Sequence, residues 1–343
     1  MSVPGESSPG DGLLAPPATG LAGRETSGAA YRSGLHGYAV TVAAATACLL
    51  FVGGLVTSTG SGLAVPDWPL SFGQVFPRMT GGVLFEHGHR LAASTVGLLT
   101  VILTIWLARS EPRRWVRRLG LWAFAAVLTQ GLLGGLTVLL KLPVAVSVAH
   151  AGVAEIFFCL TVTIALVTSR RWLEKPERAP DGRAPSLAAL SAITVGVVYV
   201  QILIGALVRH SGAGLAIPDF PLSFGRLVPP ITSPLVLYAY AHRVGALAAS
   251  VCVLWTAGRI LRRHAAEPGL RTPALLLVVL LAFQIFLGAA IIWTRKAVVP
   301  TTTHVVSGAL ILATSLVIAL RARHRGARAP QRAAVGAASP AAA

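Results

Sequence analysis

Charged side chains are scarce in this sequence. Asp, Glu, Lys and Arg together make up 12% of 343 residues, while 54% are apolar. A soluble domain of this length needs far more charge to cover its surface, so the composition excludes that class and leaves a membrane protein. A mean hydropathy of +0.71 agrees. Cysteine is nearly absent. Cys48, Cys159 and Cys252 fall in three separate apolar stretches without close spacing, which excludes a disulfide framework and marks them as small packing residues. Acidic residues number 12 against 29 basic ones, a formal charge of +17. No RNA- or DNA-binding pattern accompanies that excess, so it reports topology and contact with anionic lipid rather than nucleic acid. Residues 1–35 lack the apolar core of a signal peptide and the acid-poor character of a transit peptide. Their Gly, Pro, Ser and Ala content reads as a disordered tail, as does the Ala/Pro-rich end over 323–343.

What the chain does have is long apolar runs. Eight lie near 37–57, 90–108, 119–140, 144–168, 187–208, 236–258, 273–294 and 301–320, each close to the length that crosses a bilayer as a helix. Basic residues gather in alternate connections: Arg109, Arg113, Arg114, Arg117 and Arg118, then Arg170, Arg171, Lys175, Arg178 and Arg183, then Arg259, Arg262, Arg263 and Arg271. The tails add Arg24 and Arg32, and a cluster from Arg321 to Arg332. The positive-inside rule then puts both termini in the cytoplasm.

The strongest signal is an internal repeat. Residues 60–73 read GSGLAVPDWPLSFG and residues 212–225 read GAGLAIPDFPLSFG, with eleven of fourteen positions identical. The match extends from His89-Arg90 to His242-Arg243 and from His150 to His304. The expected fold is therefore all-α: an integral membrane protein of eight transmembrane helices arranged as two parallel four-helix repeats. Its N-terminal half covers 36–169, a cytoplasmic linker 170–186, and its C-terminal half 187–322. Because four spans is an even number, the halves share one orientation and relate by a pseudo-two-fold axis along the membrane normal. A weaker quarter repeat sits inside each half. Gln130, Gln201 and Gln284 each stand four residues before a glycine (Gly134, Gly205, Gly288), and the first span carries Leu49 before Gly53 in the same pattern. Paired small residues let helices approach closely and a buried Gln bonds across helices; the same positions also suit one wall of a flat cofactor slot.

Of nine histidines, His36, His264 and His324 lie at cytoplasmic ends or tails, His87 is unrepeated, and Ser58 matches His210. The other four, His89, His150, His242 and His304, stand at the outer start of every even-numbered span. Ionisable groups there mark a functional site. Zinc or copper usually brings further Cys, His or carboxylate ligands. Two imidazoles on opposed helices in an apolar, Gly-lined bundle suit the axial positions of a six-coordinate haem iron, which gives two haem positions: His89 with His150, and His242 with His304. The halves differ in their carboxylates. Glu86 lies one turn before His89, where the second half has Ala239, and Glu155 follows His150, where the second half has Ala309. The N-terminal half therefore reads as the reactive one, although Glu86 also suits an interfacial position and Glu155 a helix–helix contact. Pro66-Asp67-Trp68-Pro69 and Pro218-Asp219-Phe220-Pro221 read as stiff lids over the haems. Arg90, Arg243 and Arg209 either meet haem propionates or snorkel to lipid head groups.

These residues resemble the haem A synthase family, membrane enzymes of cytochrome oxidase assembly. The resemblance covers about residues 36–322 and rests on Glu86-x-x-His89-Arg90, the repeated Gly-x-Gly-Leu loop with Trp68-Pro69-Leu70, and the four histidines. It implies conversion of haem O to haem A, by two hydroxylations of one ring methyl and loss of water to a formyl group. It implies substrate haem between His89 and His150, Glu86 as the catalytic carboxylate, Arg90 and Arg243 at the cofactors, and a b-type haem on His242 and His304. It implies a bacterial cytoplasmic membrane location and, as candidate protein partners, haem O synthase and cytochrome oxidase assembly factors. Many bacterial members carry a cysteine pair in the first outer loop. Val65 and Ser71 stand near those places here, so a thiol-based role for that loop is not implied. Two other classes compete. A bis-histidine b-type electron carrier leaves Glu86 unexplained, and a parallel-repeat transporter leaves the paired histidines unexplained.

Overall fold

In lipid, a chain must satisfy its backbone polar groups internally, and a helix does so within one segment. The computed structural model of the protein describes residues 1–2, 30–173 and 184–326. Most of the stretches read as tails and linker lie outside the described residues, and with them Arg24, Lys175, Arg178, Arg183, Arg328 and Arg332. The described chain forms α1 (Ser33–Ser58), α2 (Gly82–Ser110), α3 (Arg114–Leu139), α4 (Val144–Val167), the single turn α5 (Arg170–Leu173), α6 (Leu187–His210), α7 (Pro234–Arg263), α8 (Pro268–Trp293) and α9 (Val298–Gly326). All but α5 are long and apolar enough to cross a membrane. The chain is an all-α, multi-pass membrane protein.

Each long helix coincides with an expected span, with one informative difference. α2 begins at Gly82 rather than at 90. Glu86, His87, His89 and Arg90 interrupt the apolar pattern there, but other parts of the chain take up polar groups of Glu86, His87 and Arg90, so the helix runs on through them. α7, α8 and α9 likewise start ahead of the expected spans. His89 consequently lies two turns inside α2, and His150, His242 and His304 lie about two turns inside α4, α7 and α9.

Local chemistry accounts for several helix ends. Ser186 Oγ and Ser233 Oγ accept the N–H groups of Ala189 and Val236, capping α6 and α7. Pro234 and Pro268 occupy first-turn positions where no N–H is needed. Pro273, inside α8, cannot donate to the Gly269 carbonyl, and the Arg321 guanidinium of α9 donates to it instead.

Within residues 33–167 the helices touch in the cycle α1–α2–α3–α4–α1, and within 187–326 in the cycle α6–α7–α8–α9–α6. The two groups meet where α1 packs on α9 and where α4 packs on α6 and α9. Arg209 pins this seam by donating to Gly54 O (2.6 Å) and Ser58 Oγ (2.9 Å), while Thr302 Oγ1 donates to the same Ser58 hydroxyl (2.9 Å). Lower down, Tyr199 donates to the Gly152 carbonyl (3.3 Å). The close-packed apolar clusters sit towards the end that carries the termini. Val42, Leu103, Leu107 and Ile164 fill one group, and Val253, Ile260, Leu277 and Ile318 the other. The opposite end, under the long loops, is left to the histidines.

The two long loops, 59–81 and 211–233, repeat each other bond for bond. Asp67 accepts the N–H groups of Phe72 (2.7 Å) and Gly73 (2.8 Å), and Asp219 those of Phe224 (2.7 Å) and Gly225 (2.8 Å). Phe72 and Phe224 take the same left-handed conformation, φ 54°, each followed by a glycine at φ 69° or 71°. The backbone donors of Gly73 and Phe72, and in the second loop chiefly that of Gly225, hold both carboxyls below the ordinary aspartate range. A depressed carboxyl favours the ordered loop above the unfolded value of about 3.9, and that contribution is lost as pH falls through the depressed value. Asp219→Asn at neutral pH is therefore expected to speed hydrogen exchange of the 219–225 loop, relative to an unstructured peptide. The wild-type loop should show the same loss only on acidification below about pH 4. Equal exchange in variant and wild type at neutral pH would refute the role of the carboxylate.

Candidate functional site

Glycine decides where the imidazoles can sit. Gly53 on α1 faces the His89 ring, Gly134 on α3 the His150 ring, Gly205 on α6 the His242 ring and Gly288 on α8 the His304 ring. A methyl group on these glycines would approach ring Cε1 to 3.0, 3.4, 3.0 and 3.5 Å respectively, so any side chain at Gly53 or Gly205 forces the imidazole to give way. The quarter repeat is thus a seat for a histidine on the following helix. Its glutamines reach the same partners. Gln130 Nε2 donates to His150 O (2.8 Å), Gln201 Nε2 donates to His242 O (2.8 Å) and lies 2.9 Å from its Nδ1, and Gln284 Nε2 lies 3.3 Å from His304 Nε2.

The donors come together in pairs. The His242 and His304 rings face each other across the second half with centroids 6.4 Å apart and planes inclined by 62°. His89 and His150 hold the matching places in the first half, each on its glycine seat with a buried, unpartnered Nδ1. A metal held by one nitrogen from each side, at about 2.0–2.1 Å, places opposed ring centroids roughly 6 Å apart, so the second pair has the separation an axially ligated iron needs. Nδ1 of His89, His150 and His304, and Oε1 of Gln201 and Gln284, are buried and make no hydrogen bond among the described residues. Buried polar atoms left this way are costly, and they collect where the glycines keep the wall flat. The residues present fit a haem in each half.

Glu86 is where the halves part. It is 4% exposed, and both of its oxygens are held: Val65 N–H donates to Oε2 (2.8 Å) and Arg90 Nη2 to Oε1 (2.8 Å). Arg90 also donates to the Asp67 and Leu70 carbonyls (2.8 and 2.7 Å), locking the first loop down. Arg243 does the same to the second loop through Leu222 O (2.6 Å) and Asp219 O (2.7 Å), but with Ala239 in place of the carboxylate. Both guanidiniums therefore spend N–H groups on loop carbonyls, while Arg209 spends its own on the seam.

Val65 and Ser71 are fully buried, and Ser71 Oγ shares a 2.8 Å hydrogen bond with His87 Nδ1. His87, set apart by the repeat because Tyr240 replaces it, is thus an anchor of the first loop. Trp68 completes the lid. Its indole lies so close to Gly135 that a methyl group there would sit 2.6 Å from the ring. The repeat puts Phe220 and Ala289 at the matching positions of the second half, where Phe220 packs edge-on against Trp293 at 6.3 Å. The sequence displays both substitutions, Trp68 to Phe220 and Gly135 to Ala289. Only the fold reveals that the first pair touches.

Glu155 is 3% exposed on α4, and its Oε2 has no partner among the described residues. It lies beside the seam with Cys159 and Tyr199 as titratable neighbours. Three of the other four histidines have structural contacts: His36 with Thr168, His264 with Glu267, and His324 stacked on Trp172.

Residues 81–317 match the sequence profile of the family described as cytochrome oxidase assembly protein. A haem A synthase of Symbiobacterium thermophilum is 36% identical over 261 residues, covering 73% of this chain and 84% of that protein. The haem A synthase of Geobacillus kaustophilus is 29% identical over 315 residues, covering 87% and 96%. That of Alkalihalophilus pseudofirmus is 29% identical over 266 residues, covering 76% and 88%. The matched segment contains all four seated histidines together with Glu86 and both loop-clamping arginines, and by that match the chain belongs to the cytochrome oxidase assembly protein family.

Proposed function

We propose that the protein is a haem A synthase, a membrane oxidoreductase that converts a ring methyl of haem O to the formyl group of haem A. The N-terminal half, 36–169, takes the substrate between His89 and His150, and the C-terminal half, 187–322, keeps a b-type haem between His242 and His304. The observation that carries the division of labour is Glu86. A buried carboxylate, gripped on both oxygens, sits one turn from a histidine in one half and is an alanine in the other.

A bound haem supplies the redox chemistry. The protein supplies position. Arg90 and the Val65 N–H fix the Glu86 carboxylate, whose remaining lone pairs are available to hold a water or to face positive charge developing at the methyl carbon. Trp68, seated on Gly135, covers the first site and keeps bulk water from it. The matching helix contacts of the two groups and their twin loops support a pseudo-two-fold relation between parallel halves. Charge bias supports cytoplasmic termini in a bacterial plasma membrane, with the loop end outside. Haem O synthase upstream and cytochrome oxidase assembly factors downstream are the partners this reaction calls for.

Three experiments test the reading. His242→Ala should remove most of the low-spin b-type absorbance of the purified protein, and full retention of that spectrum would refute the second-half haem. For orientation, Val75→Cys in the exposed first loop should react with an impermeant thiol reagent in intact cells. Ala265→Cys in the α7–α8 turn should react only after lysis. The reverse pattern would invert the topology. Glu86→Gln preserves size and one of the two accepted hydrogen bonds but removes the charge. It should leave the second-half haem intact while haem A formation falls by about 10²–10⁴, the usual loss when a group of this kind is removed. Haem O, or its half-oxidised alcohol, then accumulates among the extracted pigments. Wild-type haem A content in that variant would reduce Glu86 to a loop anchor.

A further inference from the structure

Three of the four seated histidines are braced by an amide and one is not. Gln130 bonds the backbone at His150, Gln201 bonds the backbone at His242 and approaches its ring, and Gln284 approaches the ring of His304. Each glutamine comes from the helix before the histidine, four residues ahead of the glycine that seats the imidazole. At the same point on α1 the residue is Leu49, so His89 has the glycine seat of Gly53 but no amide. Its Nδ1, like those of His150 and His304, is buried and makes no hydrogen bond among the described residues, so the missing amide is what sets His89 apart.

We infer that His89 is the exchangeable axial ligand of the protein, and that Leu49 makes it so; the inference rests on the haem reading given above. An amide that ties a ligand-bearing turn to the neighbouring helix holds that turn in register, and one such bond has a net strength worth a several-fold change in an equilibrium. In the second site Gln201 ties the His242 turn through its backbone carbonyl and Gln284 reaches the His304 ring, so each ligand there has an amide partner, which suits a haem that stays. In the first site only His150 has it. Release of His89 frees a coordination position on the α2 side, the side that carries Glu86, so the site able to open is the one that holds the carboxylate. The same asymmetry gives a direction for exchange: substrate and product stay tethered through His150 while the His89 side loosens.

The test uses full-length protein purified with its haems and reads carbon monoxide binding to the reduced form, which reports displacement of an axial ligand without any turnover. In wild type, carbon monoxide should bind the first-half haem and leave the second-half haem low-spin. Leu49→Gln should weaken that binding about threefold to tenfold, the effect of one added hydrogen bond of ordinary net strength. Gln201→Leu should do the reverse, making the second-half haem reactive to carbon monoxide by a similar factor. Should Leu49→Gln fail to retain its first haem, Gln201→Leu decides alone. Haem retained with unchanged carbon monoxide affinity in both variants, or wild-type binding at the second-half haem, overturns the assignment of His89. A wild-type protein without bis-histidine haem overturns the haem reading itself, and this inference with it.

Discussion

The contact between an imidazole and a glycine on the preceding helix is what the rest of this structure depends on. A transmembrane bundle gains little from hiding apolar surface, because lipid is as apolar as leucine, and helices are held by close packing and by polar groups that find partners. Four glycines admit four rings, and each ring fixes the spacing of a helix pair near the loop end. With that end given over to histidines, the dense aliphatic packing is displaced towards the termini, where Leu107, Ile164, Ile260 and Ile318 lock each group of helices. Rigidity at one end and open polar seats at the other are two results of the same constraint.

The duplicated frame carries two different jobs through few substitutions. Both halves keep the histidines, the glycine seats, the loop aspartate and the loop-clamping arginine. The first half adds Glu86 and His87, sets a large indole against Gly135, and puts Leu49 where every other quarter has glutamine. Glu86, His87 and Trp68 act on positioning or local charge at the loop end, and Leu49 packs at the edge of the aliphatic core of its half. That is how a scaffold can diverge in chemistry while its packing stays intact.

Much of this was legible in the sequence. Eight spans follow from hydropathy, because a bilayer accepts only segments of a narrow length range. The histidine pairs follow from the repeat, because duplicated positions that keep an expensive residue announce a shared purpose. The start of α2 was not legible. Hydropathy counts Glu86, His87 and Arg90 as solvent-facing, whereas Val65 N–H, Ser71 and the loop carbonyls absorb them. Arg90 and Arg243 were open to a propionate role on sequence grounds, yet the folded loops supply carbonyl acceptors no linear pattern reveals. His87 escaped because its partner, Ser71, lies 16 residues away. Trp68 on Gly135 spans a still longer separation, and no periodicity connects a loop to a helix that far along the chain.

The seam has a consequence for how the protein is made. The last turn of α1 is finished by groups from elsewhere: the Arg209 guanidinium of α6 lands on Gly54 O and Ser58, and Thr302 of α9 donates to the same serine. α1 is the first of these helices to leave the ribosome, and α9 is the last. The opening segment therefore waits in the bilayer with its end incomplete until α9 has been made. An N-terminal half synthesised by itself would insert but would lack its closing contacts.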